Sequence, residues 1–312
     1  MSGLLKFKPV LMERIWGGSR LKTDWGYESS LDTGLGECWV VSCNELADSE
    51  VTEGEFKGKR LSQLWKEEGG IFGEERGKDF PLLVKILDAK ENLSLQVHPD
   101  DAYAEEHEGC RGKWECWYIL DCPENAELLV GNRAKDRQDL KRMVDEKRWD
   151  DLINRVPVKK GDFIRLEPGT LHAITAGVML LEVQENSDVT YRVYDYDRLQ
   201  NGKPRQLHIQ QSLDVLRVPD RITTAELIHT GEQKNELQLL AATSRVKVWT
   251  LCVSGSCRID VPRWQIASIL EGEGSMNGTP VKRGEHLIIP GDCGGLMMEG
   301  EMRVNLAQAR GG

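Results

Sequence analysis

Ten short runs of β-branched, aliphatic and aromatic residues dominate this 312-residue chain, with Gly, Pro, Asn and Asp gathered between them. They cover residues 38–42, 82–87, 93–97, 115–120, 127–130, 162–166, 178–183, 246–253, 264–270 and 286–290. Runs of this length bounded by turn residues read as strands. Strand after strand, with turns about every ten residues, predicts an all-β chain folded as sandwiches or barrels. Helical patterns break in only at residues 61–68, 100–108, 136–155 and 208–216. The third carries a stripe of Leu140, Met143, Val144, Trp149, Leu152 and Ile153.

Composition excludes several classes. Apolar residues are 39% and charged residues 29%, a globular rather than a disordered balance. No run approaches the ~18 apolar residues of a membrane span. The first nine residues lack a signal-peptide stretch, so a cytoplasmic location is expected. Eight cysteines occur without a C-x-x-C pair, which speaks for ordinary thiols. A net charge of −10 argues against nucleic-acid binding. An anionic substrate would then need a local cluster of Lys and Arg.

Three distant segments supply the groups that bind a divalent ion: Gln96-Val97-His98-Pro99, Trp114-Glu115-Cys116-Trp117 and Pro168-Gly169-Thr170-Leu171-His172. Gln96 and His98 are two apart on a strand and share a face. Glu115 interrupts an apolar run, where an uncompensated carboxylate costs several kcal/mol. A histidine alone at a strand end is more often a packing residue, and Glu115 alone can be a salt-bridge partner of Lys113 or Arg111. Together, two imidazoles, a carboxylate and an amide suit zinc or a similar ion and leave a position for water or substrate. His107, His208, His229 and His286 have less telling surroundings and read as surface or packing residues.

The positive cluster has candidates. Lys85 interrupts the apolar run 82–87, and Lys113 shares the face of Glu115. Arg192 follows the run 178–183 in a polar stretch and can grip a phosphate or an oxyanion through paired hydrogen bonds. A surface ion pair with Asp188 or Asp195 is the plainer role for that arginine.

A faint internal echo is also visible. Residues 161–169 and 284–292 both read as Gly, an apolar strand, then Pro-Gly. Four residues after the proline stands His172 in the first copy and Gly294 in the second. A polar seam at residues 230–235 separates the two copies. The expected units are 1–235, metal-binding, and 236–312, without metal.

These motifs closely resemble type I mannose-6-phosphate isomerase. The matching segments are Pro81–Leu87, Leu93–Asp100, Gly112–Tyr118 and Glu167–Ala173, with Ser187-Asp188 and Arg192, Arg14–Gly18 and Gly36–Trp39. Q-x-H-P, G-K-x-E and P-G-x-x-H in this order form a highly specific set. The resemblance spans essentially the whole chain and implies two cupin (jelly-roll β-barrel) domains with a small helical insertion. It implies one Zn²⁺ per chain on Gln96, His98, Glu115 and His172, with Arg192 catalytic. Lys85, Lys113 and Asp188 are placed near the sugar phosphate.

The implied reaction interconverts mannose 6-phosphate and fructose 6-phosphate through a cis-enediol. Lys113, Lys85, Asp188 and a metal-bound water are open as the proton carrier. The implied partner is a small sugar phosphate, with the chain a monomer or weak homodimer. An Fe(II) cupin oxygenase and a non-catalytic sugar-binding cupin are the alternatives. Trp114 departs from the family's usual small or polar residue, which predicts a narrowed pocket.

Overall fold

The computed structural model describes residues 3–73 and 77–310. It is mostly β, with 46% strand and 16% helix. A seven-stranded sheet forms the middle layer, with strand order Ile228–His229, Asp162–Leu166, Glu115–Asp121, Met179–Glu185, Leu82–Asp88, Leu35–Val41 and Val10–Gly18. Its pairings are antiparallel. Side chains alternate between its two faces, and each face has its own core.

Even-numbered residues of the Glu115–Asp121 strand and odd-numbered residues of Met179–Glu185 point one way. Cys116, Tyr118, Leu120, Leu181 and Val183 pack there with Ile266, Ile288 and Ala307 of a C-terminal eight-stranded sheet. Leu5–Lys8, at the other end of the chain, pairs with His286–Ile289 and joins that C-terminal sheet.

The opposite face looks onto a six-stranded sheet made by Ile153–Pro157, Glu127–Asn132, His172–Ala173, Leu95–Val97 and Tyr191–Tyr194, with Asp220–Arg221 beside Glu127–Asn132. Trp117, Ile119, Ile164 and Leu180 from the middle layer meet Leu128 and Val130 from this sheet. The back of the six-stranded sheet is covered by the helices Arg137–Asp145 and Ile209–Val215 through Leu140, Val144 and Leu216.

All ten predicted strands are present, several of them longer than the sequence shows. The C-terminal ones grow to Val246–Val261 and Gln265–Met276. Helices Leu61–Glu67, Asp101–Glu108 and Ile209–Val215 fall where expected. The expected helix over 136–155 is corrected: it stops at Asp145, and Trp149–Leu152 is a single turn. Ile153–Pro157 is a strand. Lys147 adopts φ 54° and the Arg148 amide bonds back to Met143, which ends the helix. Of the apolar stripe only its last member is strand: Ile153 pairs with Asn132. No described helix is long and apolar enough to cross a membrane.

Candidate metal centre

Backbone hydrogen bonds gather the three motif segments. The Lys113 amide donates to the Pro99 carbonyl (3.0 Å), and the Gly169 amide donates to the His98 carbonyl (2.8 Å). Asp100 caps the following helix by accepting from the Tyr103 amide. Two glycines make this closeness possible. A Cβ on Gly112 would lie 2.7 Å from the Pro99 carbonyl oxygen, and Gly169 has φ +85° with the Val215 carbonyl 2.7 Å from its would-be Cβ. The glycines in G-K-x-E and P-G-x-x-H are therefore structural joints.

Sheet register then aligns the side chains. His172 stands opposite Gln96, which stands opposite Arg192, one row across the six-stranded sheet. Residues directly opposite share a face, so all three look into the interior between the two sheets. From the middle layer, Glu115 and Trp117 look back at them, and the Trp117 ring meets the His172 ring edge-on at 5.4 Å between centroids.

His98 Nε2 is 3.4 Å from Glu115 Oε2, and His172 Nε2 is 3.3 Å from Glu115 Oε1. Gln96 Nε2 is 3.3 Å from His172 Nε2. The other imidazole nitrogens face backbone oxygens: His98 Nδ1 that of Val189 at 2.8 Å, His172 Nδ1 that of Thr170 at 2.9 Å. A proton on each Nδ1 leaves both Nε2 lone pairs aimed at Glu115, the tautomer a metal ligand needs. His98, Glu115 and His172 form a buried group whose ligand atoms lie within 4.8 Å of one another.

Electrostatics agree with that reading. Burial, aided by the Lys113 charge, pushes the His98 imidazole down to about 3, and burial lowers His172 as well. Burial opposes the charge on Glu115, yet Lys113, with its Nζ 2.8 Å from Oε2, holds that carboxyl well below the usual range. Burial likewise works against the Lys113 ammonium, but Glu115 and Glu182 raise it above an ordinary lysine. The centre thus holds two neutral imidazoles and one carboxylate. His98 Nε2 and Glu115 Oε1 are buried with no hydrogen-bonded partner among the described residues, and Glu115 Oε2 has the Lys113 ammonium beside it. Buried polar atoms without partners cost free energy, and two converging in one spot beside the His172 Nε2 fit a cation.

The other predicted residues are near but differently engaged. Lys85 Nζ lies 4.0 Å from Glu37, 3.8 Å from Glu182 and 3.7 Å from Asp188, and over the Trp39 ring. It is surrounded by carboxylates rather than free. Asp188 accepts from Asn44 Nδ2 and is more than a third exposed. Arg192 donates from Nη1 to the Gln206 carbonyl (2.9 Å), and its Nε is buried without a partner. Neither Asp188 nor Asp195 is its ion-pair partner, since Asp195 is held by Arg198 and Arg205.

Trp114 corrects an expectation. It points away from Glu115 into the core against the C-terminal sheet, so it does not narrow the interior.

Sequence reasoning passed over Glu37 and Glu182. Glu182 stands between Lys85 and Trp117 in register, accepts from Trp117 Nε1 (3.1 Å), and is raised to about 7 by burial. Burial would raise Glu37 too, but Lys85 and Arg14 bring it down to about 2. The same signal that exposed Glu115, a carboxylate inside an apolar run, was present at Glu182.

Buried neutral imidazoles and an ionised carboxylate, ringed by lysine and arginine, define a metal-dependent enzyme. Residues 4–121 match the family described as phosphomannose isomerase type I, catalytic domain. The chain is 43% identical to mannose-6-phosphate isomerase ManA of Bacillus subtilis, covering 95% of this chain and 96% of that protein. It is 40% identical to mannose-6-phosphate isomerase of Streptococcus mutans, covering 97% and 98%. The crystal structure of the Bacillus subtilis mannose 6-phosphate isomerase superposes with a TM-score of 0.88 at 36% identity, covering 98% of this chain and all of that one. The chain belongs to the type I phosphomannose isomerase family.

Proposed function

We propose that this enzyme interconverts mannose 6-phosphate and fructose 6-phosphate in the interior between the six- and seven-stranded sheets. The observation that carries the reading is the convergence of the buried ligand atoms of His98, Glu115 and His172, with Gln96 alongside. These four residues would hold one ion, and the two-imidazole, one-carboxylate, one-amide set favours zinc. When bound, that ion supplies Lewis-acid stabilisation for the charge that gathers on the sugar oxygens of the cis-enediol.

The chain's own groups do the rest. Lys113, kept as an ammonium, fixes the Glu115 carboxylate and adds positive charge beside the reacting carbons. A lysine held in that state is a poor base. Glu182, with a pKa brought near neutrality, is better matched to carrying a proton between C1 and C2. Arg192 faces the same interior with an unpartnered Nε, suited to a sugar oxygen or an oxyanion. Arg198 and Arg205 take up the carboxylate of Asp195, which leaves Arg192 without an ion-pair partner among the described residues, and that free charge suits a dianionic phosphate in a chain of net charge −10. Lys85 and Asp188 act by holding Glu182 and the loop after it in place.

The two β-rich halves read as two cupin jelly-rolls, residues 1–235 with the metal and 236–312 without. The first strand, contributed to the C-terminal sheet, ties them together. The chain is proposed to act as a monomer or weak homodimer.

A coupled assay of fructose 6-phosphate formed from mannose 6-phosphate tests the proposal. Turnover that requires the divalent ion supports it. Sugar phosphate bound without conversion, or iron-dependent oxygen uptake, overturns it.

A further inference from the structure

A cavity of about 520 Å³ lies on the other side of the middle sheet from the metal centre, against the C-terminal sheet. Its volume falls in the about 300–1,000 Å³ range of small-molecule sites. Nothing in the isomerase reading uses it. One wall is aromatic and rigid: Trp65, Phe72 and Trp264 meet edge-to-face with centroids 5.0, 5.6 and 5.9 Å apart. Trp114 closes the wall; it is 3% exposed, and its Nε1 has no hydrogen-bond partner.

The rim is cationic. Arg245 is occupied by Glu185 (3.2 Å) and Asp101, and Arg310 Nη1 donates to the Thr243 carbonyl (3.0 Å). The guanidinium groups of Arg111 and Arg263 make no hydrogen bond or ion pair among the described residues. With Glu185 matched to Arg245, the described lining residues still include Arg111, Arg263 and Arg310.

We propose that this cavity is a second ligand site, for a flat aromatic or heteroaromatic molecule carrying one anionic group. The ring would lie against the Trp65, Phe72 and Trp264 wall, which favours offset or edge contacts with another π-system. The anion would meet Arg111 or Arg263, whose planar forks match a carboxylate, sulfonate or phosphate. A polyhydroxylated sugar phosphate finds few polar partners on that wall, so the ligand differs in class from the substrate.

The site also touches the catalytic backbone. Trp114 sits between Lys113 and Glu115, its amide donates to Glu185 Oε2 (3.1 Å), and its carbonyl accepts from the Glu185 amide (3.0 Å).

The test is a fluorescence titration of the full chain with 8-anilinonaphthalene-1-sulfonate, an aryl sulfonate, beside two variants. Gly70 lines the cavity and a Cβ there meets nothing within 4 Å, so Gly70→Phe fills the space without a backbone clash. Arg263→Glu reverses a rim charge at an exposed residue. Neither residue touches the metal centre, and basal turnover is expected to be unchanged in both. The wild type is expected to show one saturable site that saturating mannose 6-phosphate does not displace, and each variant is expected to bind at least tenfold more weakly. Absence of saturable binding, equal binding by all three proteins, or displacement by mannose 6-phosphate overturns the proposal. Failure of the isomerase reading would appear as missing turnover and would leave these titrations untouched.

Discussion

The interior between the six- and seven-stranded sheets and the interior of the C-terminal sheet are both lined by strands, yet they hold opposite chemistry. The first buries Lys85, Lys113, Glu115 and Glu182, each with a side chain no more than 7% exposed. The second is filled by Leu251, Val253, Ile269, Leu287, Met298 and Val304, with the amides of Gln265 and Gln308 as its main polar groups. The two echoing segments mark the contrast. Gly161 and Gly284 both have φ +86° and both lead into a strand that ends in Pro-Gly. Past that turn one copy presents His172 and the other Gly294. Burying charges costs several kcal/mol apiece unless they are compensated, so the first interior gives up stability for chemistry and the second does not.

The contrast is tested most severely at His172. His172→Ala should abolish metal retention and lower kcat by about 10³-fold or more, since an ion's charge stabilisation amounts to several kcal/mol. Elemental analysis and the coupled assay read both, and a metal-free variant of full activity would erase the distinction.

Arg192→Ala should retain the ion and lose about 10²–10³ in kcat, as for removal of one donor to an oxyanion. An unchanged kcat would remove Arg192 from the reaction.

Glu182→Gln should lower kcat by about 10²-fold and also alter the pH dependence of stability. Burial raises the folded pKa of Glu182 from an ordinary 4.5 to about 7. Its protonated form therefore favours the native state below pH 4.5, and that contribution is lost as pH rises through 7. Thermal melts at pH 5 and pH 8 should show a larger loss in the wild type than in the variant, by on the order of 2 kcal/mol. Equal losses would mean that Glu182 is not a strained buried carboxyl.

The smallest effect on activity belongs to the face of the C-terminal sheet that packs against the middle layer. His286 is buried, faces Ser268 Oγ (2.8 Å) and the Tyr27 hydroxyl (3.1 Å), and is pushed down to about 3 by burial. His286→Ala should cost about 1–3 kcal/mol of stability for its lost hydrogen bonds, with kcat within twofold. A large kcat loss would show that the C-terminal sheet and the metal centre are coupled.

Much of this arrangement was legible in the sequence because it is local. Alternation and turn residues mark the strands, and Gln96 with His98 share a face by spacing alone. What escaped depends on register between distant strands. Glu182 lies opposite Lys85 and Trp117 because Met179–Glu185 pairs on both sides, a fact no single segment contains. The helix expected over 136–155 failed for a related reason. Ile153 fits a helical stripe, but pairing with Glu127–Asn132 takes it into a sheet. Trp114 was misjudged because its neighbour Glu115 faces the interior, and on a strand the adjacent residue must face away.

The account stands on three separated chain segments delivering their polar ends to one cation. Mannose 6-phosphate turnover by chelator-stripped protein, measured before and after adding one equivalent of zinc, addresses this directly. The expected result is negligible turnover without the ion and full recovery at a one-to-one ratio. Full activity in the stripped protein, with no metal found by elemental analysis, would contradict it.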